Sequence, residues 1–192
     1  MITGSFQVDR RFVERPGNVC IDGPQDEEQL RLLTAFATAS KKHGSVVFVQ
    51  IGHAGRQSNG MINMSPVGPG DIRIDLPSTH FGNPTALTSE DIDVVKQKFV
   101  DAAVVCKQCG FDGIQLHSAH GYLLSSFLNP LANNRPDLFG VGDQYGGCLE
   151  NRYRLLRDTV RQVRAAVGPS YPIAVKLNSK YVGVLVLSCN VI

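Results

Sequence analysis

Hydrophobic positions along the chain switch between a period suited to strands and one suited to helices. Met1–Gly4 reads as the end of a strand, and Ser5–Gly23, punctuated by Pro16, Gly17 and Gly23, as a loop. Asp26 with Gln29 predicts a reciprocal helix cap, after which Leu30, Leu33, Phe36 and Ala37 recur at helical spacing until Gly44. Ser45–Ile51 is a continuous apolar run rich in β-branched residues, as expected of a parallel strand buried on both faces, with Gln50 its polar exception. Gly52–Leu87 is dense in Gly, Pro, Asn and Ser, a long loop of the functional or disordered kind. Thr88 and Asp91 signal the next helix, in which Ile92, Val95, Phe99, Ala102, Ala103 and Cys106 mark one face as far as Gly110. A strand over Gly113–Leu116 follows. Leu149–Val167 then reads as a helix with Leu155, Leu156, Val160 and Val163 on its stripe, and Pro172–Leu177 as another buried strand.

Four strands and three helices in alternation imply an α/β fold, a parallel sheet with right-handed crossover helices. A complete eight-stranded α/β barrel needs ~250 residues, so the 192 residues here hold about half of one. The composition, 43% hydrophobic with a net charge of +2, suits one soluble core and carries no basic excess for nucleic acid. Arg157, Arg161 and Arg164 share a helical face, which without that excess reads as the solvated outside of a barrel helix. Five cysteines, an odd number without a leader segment, suggest reduced thiols and a cytoplasmic setting. No stretch approaches the ~20 apolar residues that span a bilayer, so no membrane partner is expected.

The chemistry concentrates in Phe111–Asn134, FDGIQLHSAHGYLLSSFLNPLANN. Ile114 and Leu116 share one side of the strand, and His117 begins the turn away from the sheet. His117, His120 and Tyr122 then converge on a cavity at the carboxyl end of the strand, where α/β folds place their ligands. Their bland readings are structural histidines at a strand end and an aromatic ring packed under the loop. Cys106, Cys109, His117 and His120 follow a C-x2-C-x7-H-x2-H spacing, too short for a zinc finger, and Cys106 falls on the buried face of its helix. No metal site is expected.

H-S-A-H-G-Y-L-L-S-S-F-L-N-P within that stretch, Y-G-G-C-L-E-N-R at Tyr145–Arg152, V-Q-I-G-H-A-G-R-Q at Val49–Gln57 and V-K-L-N at Val175–Asn178 keep a common order and spacing. Together they resemble the Old Yellow Enzyme family of FMN-dependent NAD(P)H oxidoreductases, from about Ile2 to Ser179. The resemblance implies a partial TIM barrel over residues 1–179, strands two to five of the family fold, that uses FMN and NADH or NADPH to reduce activated alkenes such as α,β-unsaturated carbonyls. It assigns His117 and His120 to the substrate oxygen, where two imidazoles stabilise developing enolate charge. Tyr122 takes the role of proton donor, since a phenol with a pKa near ~10 keeps its proton at neutral pH and can still pass it to a carbanion. Gln50 is assigned to FMN, its amide offering both donor and acceptor, against the alternative of a buried amide bonding the backbone. Lys176 stands where many relatives carry arginine and supplies a cation to the flavin without the bidentate fork. Arg56 suggests a loop contact near the pocket.

The family's phosphate site lies in loops after its last two strands, and nothing in this sequence corresponds to it, so weak flavin binding is expected. The rival expectation is a noncatalytic fragment that pairs with another chain, a homo-oligomer included, because half barrels expose sheet edges and apolar helix faces. Residues 180–192 no longer resemble the family, and Cys189–Ile192 fits a prenylation box without the polybasic run that accompanies one.

Overall fold

The computed structural model describes residues 1–74, 81–135 and 144–178. In chain order its elements are β1 (Ile2–Gln7), α1 (Glu27–Ser40), β2 (Phe48–Gly52), β3 (Val67–Gly68), β4 (Thr85–Ala86), α2 (Ser89–Gln108), β5 (Gly113–Ser118), α3 (Leu123–Leu128), α4 (Leu149–Arg152), α5 (Arg154–Val167) and β6 (Ile173–Leu177). Residues 180–192, with the divergent tail and Cys189–Ile192, lie outside the described residues.

Both predicted caps form in full. The Asp26 side chain accepts from the Gln29 amide while the Gln29 side chain accepts from the Asp26 amide, and Thr88 and Asp91 do the same for α2. Each box satisfies backbone donors that the first helical turn leaves without partners. On α2 the predicted stripe, Ile92, Val95, Phe99, Ala102, Ala103 and Cys106, is buried throughout. Phe99 alone, fully buried, contributes about 1.5–3 kcal/mol relative to an exposed ring.

Four strands form one parallel sheet in the order β1-β2-β5-β6. Val49 and Ile51 of β2, with Ile114 and Leu116 of β5, join α2 and the α5 residues Leu155 and Val163 in a single core. The opposite face is polar. Ser5, Gln50, Gln115 and Ala174 stand side by side at one level. Two residues further on, Gln7 pairs with Gly52 and His117 with Lys176. This layout is part of an α/β barrel, with helices outside and polar groups inside, arranged at the carboxyl ends of the strands.

Several boundaries differ from the sequence pattern. β1 continues to Gln7 rather than stopping at Gly4, and β5 runs on to Ser118, so His117 is a strand residue on the polar face, not the start of the turn. α1 ends at Ser40, and Gly44 instead provides a positive φ of 81° in the following turn. The strand predicted from Ser45 begins at Phe48. The predicted helix over 149–167 is two, divided at Tyr153, and α3 adds a helix that the pattern had not suggested. The Pro172–Leu177 strand expected to be buried is only partly so: β6 is intermediate in burial along its length, and among the described residues it has a strand neighbour on one side only. Phe36, one of the residues at helical spacing on α1, is 42% exposed, its ring stacked on Phe6 of β1 with centroids 6.2 Å apart.

Candidate active site

Histidine 117 projects from β5 into the polar face beside Lys176 of β6. Gly52 makes room for it, since a Cβ there would stand 3.2 Å from the His117 Cβ and 3.0 Å from the Ser5 hydroxyl. The His117 ring is buried, and its pKa is pushed down to about 4, by burial first and then by the Lys176 and His120 charges. It is therefore a neutral imidazole at physiological pH. The Ala119 amide donates to its Nδ1 at 3.3 Å, which leaves the ring proton on Nε2 as the available donor.

The chain then turns sharply. His120 adopts a left-handed φ of 61°, unusual for a residue with a side chain, and Gly121 follows at 82°. The His120 amide donates to the Asn178 side chain at 3.1 Å, and its carbonyl accepts from the Gln57 amide at 2.7 Å. Held from both sides, this turn returns the chain over the strand end. The His120 ring stands edge-on to His117 with centroids 5.2 Å apart, and the Tyr122 ring meets His117 the same way at 4.8 Å. Tyr122 is also the residue that opens α3. Its hydroxyl donates to Glu14 Oε2 at 2.8 Å, and its pKa is raised to about 12, by burial first and then by the Glu14 carboxylate.

One level below, the Gln50 amide donates to the Gln115 side-chain carbonyl at 2.7 Å. That bond leaves the Gln50 carbonyl and a Gln115 amide as an acceptor and a donor on the same face. The Lys176 ammonium has no hydrogen-bond or ion-pair partner among the described residues. An amide pair next to a free cation suits a planar heterocycle that carries donors, acceptors and negative charge.

All five residues expected to carry the site, Gln50, His117, His120, Tyr122 and Lys176, thus share one face and one end of the sheet. Gln115 was overlooked, although it lies two positions before His117 and so must face the same way. Glu14 gave no local signal, because it reaches Tyr122 from 108 residues away.

His53, in the H-A-G-R stretch, was also missed. It is fully buried against the Phe12 ring, with centroids 5.1 Å apart, accepts from the Gly55 amide at 3.0 Å, and has an unpartnered Nε2. Burial holds its pKa down to about 4. Arg56 donates to the Ile72 carbonyl at 3.1 Å and so secures its own loop. Cys106 packs into the core with Ile114 and Leu116, on the other face of the sheet from His117, and no cluster of metal-ligating side chains forms among the described residues. Arg164 is occupied at the end of α5, donating to the Gly168 and Tyr171 carbonyls at 2.7 and 2.6 Å.

The comparisons with known proteins agree in direction. An NADH oxidase from Thermoanaerobacter brockii is 39% identical over 84% of this chain and 26% of its own length. An NADH-dependent flavin oxidoreductase from Aspergillus parasiticus is 32% identical over 93% of this chain and 40% of its own. The chain therefore spans less than half the length of these relatives. Among solved structures, histamine dehydrogenase from Rhizobium sp. 4-9 superposes with a TM-score of 0.78 at 27% identity, covering 92% of this chain and 26% of that one. Morphinone reductase in complex with tetrahydroNAD superposes at 0.79 with 23% identity over 92% of this chain and 50% of that one, a likeness of fold. These neighbours identify the sheet and its helices as a partial TIM barrel. With residues 1–182 matching the family's own pattern, the chain belongs to the NADH:flavin oxidoreductase / NADH oxidase family, the Old Yellow Enzyme-like group that its motifs resemble.

Proposed function

We propose that this chain carries the substrate pocket and part of the flavin site of an FMN-dependent, NAD(P)H-driven reductase of activated alkenes such as α,β-unsaturated carbonyls. The observation that carries the reading is the His117, His120 and Tyr122 cluster beside the Lys176 cation, which has no hydrogen-bond or ion-pair partner among the described residues, and the Gln50–Gln115 amide pair. Those last three residues fit FMN: an amide edge matches a pyrimidine-like rim, and a cation beside it matches its negative charge. When bound, FMN reduced by NAD(P)H supplies the hydride.

The chain's own residues supply the rest. His117 donates from Nε2 to the substrate oxygen, and His120 provides the second imidazole, so negative charge that develops there meets prearranged donors. Because His117 is neutral, its hydrogen-bonding capacity does not change between about pH 5 and 8. Tyr122 keeps its proton across the same range and gives it to the carbon left electron-rich after reduction.

Tyr122→Phe tests the assignment in flavin-loaded protein. Stopped-flow measurement is expected to show flavin reduction by NAD(P)H proceeding while reduction of a cyclic enone slows by about 10²-fold or more. Equal loss of both half-reactions would contradict the role given to Tyr122.

The second reading, a noncatalytic fragment that binds flavin weakly and associates with another chain, draws on the two sheet edges: among the described residues β1 and β6 each pair on one side only. A flavin absorbance band in the purified 192-residue protein separates the two readings.

A further inference from the structure

We propose that Glu14 is the positioning and proton-return residue for Tyr122, linking the active-site phenol to bulk water. The inference rests on the reading of Tyr122 as proton donor and extends it to a residue in the loop after β1. Glu14 uses its two oxygens differently. Oε2 accepts the Tyr122 hydroxyl at 2.8 Å, whereas Oε1 faces Asn18 Nδ2 at 3.4 Å and Arg15 Nε at 3.5 Å. The Glu14 side chain is 17% exposed and the Arg15 side chain 70% exposed, so the carboxylate bridges an enclosed phenol and the solvent side of its loop.

The geometry is fixed from outside the site. Asn18 donates to the Ser5 carbonyl at 3.3 Å and accepts from the Arg15 amide at 2.9 Å, which ties the loop to β1. Charged and titratable groups facing Tyr122 are Glu14, Arg15, which acts in the opposite sense, and His117, a neutral ring with Lys176 behind it. Glu14 itself faces Arg15, Asn18 and Tyr122.

The proton balance closes on these groups. The Tyr122 O–H bond breaks as a C–H bond forms on the substrate carbanion, leaving a phenolate beside a carboxylate. Two negative charges at hydrogen-bond distance favour uptake of a proton, which Glu14 takes from water, leaving hydroxide to the bulk solvent, and passes to the phenolate. The Tyr122 O–H is restored, Glu14 is again a carboxylate, and one proton has moved from solvent to product.

Glu14→Gln, Glu14→Asp and Tyr122→Phe test this together. Without any flavin, NMR titration of isotopically labelled tyrosine rings is expected to show the Tyr122 titration in Glu14→Gln falling by about one pH unit relative to wild type. In flavin-loaded protein, Glu14→Gln is expected to slow enone reduction about tenfold, with a steeper decline toward high pH and a larger solvent deuterium isotope effect; Glu14→Asp restores part of each. An unshifted Tyr122 titration, or an enone half-reaction in Glu14→Gln with wild-type rate, pH profile and isotope effect while Tyr122→Phe is impaired, overturns the role of Glu14 alone. Wild-type enone reduction by Tyr122→Phe overturns the donor reading beneath it.

Discussion

His53 and His117 show how far residue chemistry depends on surroundings. Both are held down to about 4, chiefly by burial, against an ordinary value of 6.5. Each is neutral when folded but takes up a proton below 6.5 when unfolded, so the stability it contributes is fully present above that pH and lost as pH falls through 4. At 1.36 kcal/mol per unit, the loss is on the order of 3 kcal/mol per histidine. Burial raises the nearby Asp9 carboxyl, yet its bonds from Arg11 outweigh that and bring it to about 2, so its contribution fails only at lower pH. Urea unfolding between pH 7 and 4 is therefore expected to show a fall of several kcal/mol, and a flat profile across that window would contradict two histidines buried neutral.

Among the elements, α3 matters most to the site, because it begins at Tyr122. Its start is held against the H-A-G-R turn: the Leu123 amide donates to the His53 carbonyl at 3.0 Å. Gly55 sits under that contact with a φ of 59°, and a Cβ there would meet the Leu123 Cα, a backbone atom, at 3.0 Å. Glycine alone satisfies both the left-handed backbone and the close approach. Gly55→Ala is expected to cost about 2 kcal/mol in urea unfolding, from the left-handed strain and the displaced helix start. The same change shifts Tyr122 relative to His117, which ring chemical shifts would report. Neither α3 nor the break at Tyr153 showed in the hydrophobic pattern. Six residues, all buried, leave α3 without an amphipathic period to read.

For the whole molecule, the decisive feature is a parallel sheet with one apolar and one polar face, whose outer strands β1 and β6 each have one strand partner among the described residues. On the proposed reading, the described residues would meet a flavin ring through an amide edge and a cation, and no phosphate contact is assigned among them. Phosphate contacts anchor much of a mononucleotide. Flavin fluorescence quenching is accordingly expected to give a dissociation constant of about 1 μM or weaker, and Lys176→Gln should weaken it further. Nanomolar binding by this chain would show that the ring contacts suffice. Among the described residues no helix is long and apolar enough to cross a membrane.

Local signals in the chain specified the caps at Asp26 and Thr88, the α2 stripe, the alternation of strands with helices, and the residues of the H-S-A-H-G-Y stretch, because each is written within a few positions. Burial of β6 was overestimated, since an apolar run shows which residues can be buried but not whether a neighbour covers them. The Gln50–Gln115 bond, the Tyr122–Glu14 bond and the depressed histidines join segments far apart in sequence or depend on the desolvation that packing creates. Contacts of that kind exist only after the chain has folded, so tertiary structure alone decided them.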